Sequence, residues 1–281
     1  MMSISQPTLE LKLQPSTKGV NMENSNSQSQ DQQKKKFVEV HVKRQEKEGA
    51  PSHWEKFKVE WRPNMNVIAI LQELRVDPTT ADGAKTTPPA WEAACLEEVC
   101  GTCSMTINGR PRQACTALVD QLEHPIRLEP FTKFPVVRDL ITDRSRMFDH
   151  LKKVKAWVNI DGTYELGPGP RYSQTLALSR YKMSECMTCG CCLEACPQYG
   201  PQSEFIGPQA INQVRLFNSH PSGSMNADER LDAVMGPGGI TDCGDAQNCV
   251  KVCPKGIPLT ESLASVSRAT TMRAFKKLFS V

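Results

Sequence analysis

The cysteines of this chain gather in three short stretches, and their spacing constrains the fold more than any other feature. All twelve lie within residues 95–115, 186–196 and 243–253. Cysteines scattered through a hydrophobic core would not gather in this way. Disulfides are rare in a reducing compartment, and the N-terminus lacks the apolar run and small-residue cleavage site of a signal peptide. The pattern therefore predicts metal ligation.

Composition narrows the remaining classes of protein. With 281 residues, 39% of them hydrophobic, the chain is long enough for two globular domains. A net charge of +3 is too small to indicate a nucleic-acid partner. No apolar run approaches the roughly 20 residues that cross a bilayer, so we expect a cytoplasmic protein that meets a membrane only through a partner. Residues 1–36, rich in Ser, Gln and Asn, are predicted to be a disordered tail, and Met22 is an alternative start.

Local patterns predict a small unit of strands and one helix after this tail. Hydrophobic and polar residues alternate over 37–43 and 56–61, as in half-buried strands. Asn66 can cap a helix with apolar positions three and four residues apart. Asn108-Gly109 provides the two positive φ angles of a tight hairpin turn. Two strand pairs around a helix indicate an α+β fold.

The character of the chain changes near residue 140. Pro208 can open one helix, and a last helix is predicted from about residue 260 to residue 278. We therefore predict an α+β domain over residues 37–139 and a helical domain over residues 140–281.

The first cysteine stretch predicts a [2Fe–2S] site. Its spacing, C-x4-C-x2-C followed by one more cysteine across the hairpin, is that of plant-type ferredoxins. Gly101 and the small Thr102 permit the backbone to approach the sulfides. A structural zinc site with four thiolates is the alternative, although zinc sites more often use two C-x2-C pairs. The predicted ligands are Cys95, Cys100, Cys103 and Cys115.

The second and third stretches form one paired system. The second reads C-x2-C-x2-C-x3-C-P, the run of bacterial two-cluster ferredoxins, in which the fourth cysteine ligates the other cluster. The third stretch fits the same template, except that Ala246 stands at the second position. Exchanging the fourth ligands gives a [4Fe–4S] site with four thiolates, predicted to be Cys186, Cys189, Cys192 and Cys253.

Three thiolates remain for the other site. They are Cys196, Cys243 and Cys249. Three protein ligands suit three irons, so a [3Fe–4S] cluster is predicted there. A [4Fe–4S] cluster with water or another non-protein ligand on its fourth iron is the alternative. Cys191 lies off the spacing and is interpreted as a small buried residue beside the cluster.

The chain lacks the motifs of a free-standing enzyme. It has no glycine-rich dinucleotide fingerprint after a strand and no nucleophile elbow, and its five histidines are scattered. Three clusters of different type form an electron relay, so we predict no catalytic residues here and a substrate site on another subunit.

These motifs resemble those of the iron–sulfur subunit of succinate:quinone oxidoreductase, the family of succinate dehydrogenase and fumarate reductase. The resemblance covers about residues 37–281 and is carried by CLEEVCGTC, CMTCGCCLEACP and CGDAQNCVKVCPKG. It implies a β-grasp, plant-type [2Fe–2S] ferredoxin-like domain followed by a helical two-cluster ferredoxin domain. It also implies a flavoprotein partner that oxidises succinate at FAD and a membrane-anchor subunit where electrons reach quinone. The eleven predicted ligands correspond to those of the family.

One departure bears on the quinone. Many ubiquinone-linked members have a tryptophan pair after the cysteine matching Cys196, whereas this chain has Pro197-Gln-Tyr199-Gly200. The chain resembles the menaquinone-linked, Gram-positive type, which has a cytochrome b anchor with haem b. That resemblance implies a chain held peripherally, through the anchor subunit, at the cytoplasmic face of the cell membrane. Pro197 and Tyr199 are candidate quinone-pocket residues, with packing around the third cluster as the alternative. A fumarate reductase and a stand-alone soluble electron carrier are the competing functions.

Overall fold

The computed structural model describes residues 35–159 and 171–279. The predicted tail falls almost wholly outside the described residues. The N-terminal part contains seven strands and one helix, in the order β1 (Phe37–Arg44), β2 (His53–Glu60), α1 (Val67–Val76), β3 (Ser104–Ile107), β4 (Arg110–Gln113), β5 (Ile126–Glu129), β6 (Val136–Arg138) and β7 (Ile141–Thr142).

A five-stranded mixed sheet, in the order β2-β1-β5-β3-β4, organises this part. β1 and β2 form the predicted antiparallel hairpin, whereas β5 runs parallel to β1 and joins it to the β3–β4 hairpin. Asn108 and Gly109 have φ angles of 49° and 76°, so the predicted tight turn is confirmed.

Helix α1 closes one side of the sheet. Asn66 caps it by accepting the Ala69 N–H at 2.9 Å, as predicted. Val67, Ile70 and Leu71 on α1 are completely buried, because their spacing places them on one helix face. They pack in one hydrophobic cluster with the inward residues of β1, β2, β3 and β5.

The second part of the chain is helical. Its helices are α2 (Ser145–Lys153), α3 (Gln174–Ser184), α4 (Cys191–Glu194), α5 (Gly207–Ser219), α6 (Ala227–Met235), α7 (Asn248–Lys251) and α8 (Leu259–Phe279). The two helices predicted from the sequence are present as α5, with Pro208 in its first turn, and α8. Within the described residues, no helix is long and apolar enough to cross a membrane.

The hydrophobic cores of the two parts share no sharp boundary along the chain. Phe131, Phe134 and Met147 belong to the cluster of the helical part, whereas Leu140 packs with the sheet. The described residues also form a single compact unit. The boundary at residue 139 therefore stays a prediction, placed where the chain crosses between two joined cores.

Candidate metal centres

The first cysteine stretch folds into a loop whose backbone amides surround one thiol. The N–H groups of Glu97, Val99 and Cys100 each point at Cys95 Sγ from 3.4 Å. Positive φ angles at Leu96 (63°) and Glu98 (55°) turn the amides inward. Such an arrangement stabilises negative charge on sulfur, as a cluster thiolate requires.

The other thiols of this loop lie in the same neighbourhood. Burial raises the pKa of Cys100, but hydrogen bonds from Thr102 and from Cys95 outweigh it and lower the pKa to about 6. Burial raises the pKa of Cys115 to about 12, and the adjacent Cys103 thiol acts in the same direction, with a smaller contribution from Cys95. The structure thus brings the four predicted [2Fe–2S] ligands together as a first group. From the sequence we also predict Cys115 on the strand that follows the hairpin turn. The structure corrects this, because β4 ends at Gln113 and Cys115 follows it by two residues.

A second group of thiols meets around one small cavity. Its four cysteines all line this cavity: Cys186, Cys189, Cys192 and Cys253. Burial raises the pKa of Cys192 well above its ordinary value, and the thiols of Cys189, Cys186 and Cys253 raise it further. Four neighbouring thiols would repel one another as thiolates, and the positive charge of cluster iron would offset that repulsion.

A third group lines a separate cavity of about 420 Å³. Its members are Cys196, Cys243 and Cys249. Burial raises the pKa of Cys249 to about 11, with further contributions from Cys196 and Cys243. Ala246 lines the same cavity, at the position where the template has a cysteine. Pro197 lines it too, whereas Tyr199 lies elsewhere: it is 1% exposed and packs against Phe134 and His150.

These groups differ from a site for a single ion. Among the described His, Cys, Asp and Glu side chains, no three are close enough to hold one metal ion. The thiolates of an iron–sulfur cluster bind different irons, which sulfides bridge, so they need not converge on a single point. The inward amides and the grouped thiols fit such a cluster.

The loops of the first two groups touch. A Cβ on Gly101 would lie 2.9 Å from Cys189 Cα and 2.9 Å from Met187 O, so only glycine permits this approach. Gly101 also has a φ of +72°, which glycine adopts without strain.

A buried glutamine, Gln113, links the first group to Cys191, which adjoins the second group, and was missed by sequence reasoning. It is completely buried, accepts from Cys103 Sγ at 3.5 Å and donates to Cys191 Sγ at 3.5 Å. It also donates to Ser104 Oγ at 2.9 Å. The period-two alternation of β4, which places Gln113 on the same inward face as Pro111, could have identified it.

Comparisons with known proteins agree with this arrangement. The family model "2Fe-2S iron-sulfur cluster binding domain" matches residues 39–149, and "4Fe-4S dicluster domain" matches residues 182–257. The succinate dehydrogenase iron-sulfur subunit of Bacillus subtilis is 57% identical over 244 residues, covering 87% of this chain and 96% of that protein. The chain belongs to the family of succinate dehydrogenase iron–sulfur subunits. Predictions of this family, of its two-part fold and of an electron-transfer subunit are thereby confirmed.

Relatives with lower sequence identity include fumarate reductase subunits. The fumarate reductase iron-sulfur subunit of Mycobacterium tuberculosis is 34% identical, covering 86% of this chain and 95% of that protein. Among solved structures, the "Mycobacterium smegmatis Sdh1 complex in the apo form" matches with a TM-score of 0.71 at 23% identity. That match covers 86% of this chain and 98% of the other, and it shows the shared fold.

Proposed function

We propose that this chain conducts electrons through a [2Fe–2S], a [4Fe–4S] and a [3Fe–4S] cluster held by the first, second and third groups of cysteines. When bound, the clusters supply one-electron transfer between a flavin and a quinone. The observation that carries the proposal is that eleven cysteines form three spatial groups. The twelfth, Cys191, does not fit the cysteine spacing of the motif.

The order of transfer follows from which groups adjoin. The contact between Gly101 and Cys189 supports adjacent first and second sites. Charge on Cys249 raises the pKa of Cys192, and α4 ends two residues before Cys196. Both observations support adjacent second and third sites. The second group therefore lies between the other two in the proposed relay.

Two neighbouring cysteines on α4 test the ligand assignment. Cys192 is 8% exposed and Cys191 is 0% exposed, so their replacement by alanine perturbs similar surroundings. We expect Cys192→Ala to lose the [4Fe–4S] cluster and Cys191→Ala to keep all three clusters, as measured by iron and sulfide content and by EPR of the purified complex. The opposite result would contradict the assignment.

Ala246 is the basis for a three-iron third cluster. Because Ala246 lines the cavity of the third group, Ala246→Cys places a fourth thiol where the template has one. We expect this variant to lose the oxidised [3Fe–4S] EPR signal and to contain one more iron per chain than the wild type. Ala264→Cys, which places a thiol on α8 in the same cavity, is the matched control and should keep the signal. An unchanged [3Fe–4S] signal in Ala246→Cys would show that the gap is not at residue 246. Absence of the oxidised [3Fe–4S] signal from the wild-type complex would instead favour the alternative, a [4Fe–4S] cluster with a non-protein ligand.

The proposed partners are a flavoprotein subunit with FAD and a membrane-anchor cytochrome b subunit with haem b, at the cytoplasmic face of the membrane. Similarity to the Bacillus subtilis subunit over nearly its whole length supports the same assembly. Menaquinone is the proposed acceptor. Pro197, at the cavity of the third group, is the better placed quinone-pocket candidate, and Tyr199 acts through packing. We retain residues 37–139 and 140–281 as the proposed domains.

Succinate oxidation is the proposed direction, since the named succinate dehydrogenase relative is 57% identical and the named fumarate reductase relative is 34% identical. Assays of purified complex in both directions test it: fumarate reduction much faster than succinate oxidation would reverse the assignment. A stand-alone carrier would instead purify without a flavoprotein.

A further inference from the structure

Arg144, which precedes α2, lies across the contact between the first two cysteine loops. Its Nη1 donates to Gly101 O at 2.7 Å and to Cys189 O at 3.3 Å. Its Nη2 donates to Thr102 O at 3.3 Å. One guanidinium therefore binds backbone carbonyls from both loops. Its planar group carries several N–H donors in a fixed geometry, which suits this arrangement.

The charge of Arg144 is only weakly balanced by its surroundings. The side chain is 17% exposed, and its facing carboxylate, Glu92, is 3.9 Å away and 46% exposed. Because Arg144 donates to the carbonyl of Cys189 itself, the cation lies beside a proposed ligand of the second group.

We propose that Arg144 is a positioning residue that joins the loops of the first two clusters and raises the midpoint potentials of both. The inference rests on the cluster sites of the proposed function. Reduction adds one negative charge to a cluster, and a fixed cation at the junction stabilises the added charge. Arg144 itself moves neither an electron nor a proton. Its three hydrogen bonds keep the loops, and hence the two sites, at a constant separation.

The test compares three variants in the purified complex by EPR-monitored redox titration. Arg144→Gln removes the charge, Arg144→Lys keeps the charge but cannot reproduce the fork, and Arg75→Gln removes one exposed charge at the end of α1. We expect Arg144→Gln to lower the midpoint potentials of the [2Fe–2S] and [4Fe–4S] clusters. Arg144→Lys should keep both potentials but lower the thermal midpoint, and Arg75→Gln should change neither.

Unchanged potentials in Arg144→Gln, with both clusters assembled, would overturn the proposal and leave the proposed function intact. If Arg144→Gln does not assemble, Arg144→Lys decides: wild-type potentials with a lower thermal midpoint support the proposal, and lowered potentials overturn it. Absence of the [2Fe–2S] or [4Fe–4S] signal in the wild-type complex would instead refute the proposed function.

Discussion

Replacement of Gly101 by alanine tests the close approach of the first two cysteine loops. The new methyl group would meet Cys189 Cα and Met187 O, both at 2.9 Å, and neither backbone atom can move without shifting its loop. The φ of +72° adds the cost of a left-handed conformation for a residue with a side chain. Strain of about 1–2 kcal/mol and overpacking of about 1–3 kcal/mol together predict a destabilisation of about 2–5 kcal/mol.

Gly109→Ala is the matched control for this variant. Its φ is +76°, but no atom lies within 4 Å of the added methyl group, so only the conformational cost of about 1–2 kcal/mol remains. Thermal unfolding of the complex, followed by loss of cluster absorbance at one heating rate, should give a midpoint about 2–12 °C lower for Gly101→Ala than for Gly109→Ala. Equal midpoints would refute the close contact.

Three further replacements test other parts of the structure. Arg230 is 1% exposed and donates to the carbonyls of Lys155, Trp157 and Gly223, so thermal unfolding should show Arg230→Met destabilised by about 3–5 kcal/mol. Asn66→Ala removes the α1 cap and should cost about 1 kcal/mol in the same assay; no change would contradict the cap. Burial and the charge of Arg146 lower the pKa of His150 from 6.5, so its contribution to stability is complete above pH 6.5 and declines as the pH falls below it. The unfolding midpoint of His150→Gln should therefore fall less than that of wild type between pH 7 and pH 5; parallel curves would contradict this.

Elements with a local pattern were predictable from the sequence. The β1–β2 hairpin follows from alternation, α1 from its cap and helical spacing, and the β3–β4 turn from Asn108-Gly109. Strand β5 was missed because its four residues are too few for a periodic signal, and its parallel pairing with β1 is a contact between distant parts of the chain.

The spatial grouping of the candidate ligands was predictable because cluster binding constrains the spacing of cysteines. The residues between the sites were not, because their roles arise only in the folded chain. Arg144 precedes a helix, where a surface cation is unremarkable, and only folding brings it against Gly101 and Cys189. The same holds for Gln113, whose partner Cys191 is 78 residues away in sequence.

Low-temperature EPR of the purified complex, as isolated and after anaerobic reduction, tests the central claim most directly. The three groups of thiols predict an oxidised [3Fe–4S] signal in the isolated sample, and [2Fe–2S] and [4Fe–4S] signals after reduction, in equal amounts per chain. Loss of the first signal on reduction should accompany the appearance of the others. An isolated sample that contains iron but shows no oxidised [3Fe–4S] signal would contradict the account.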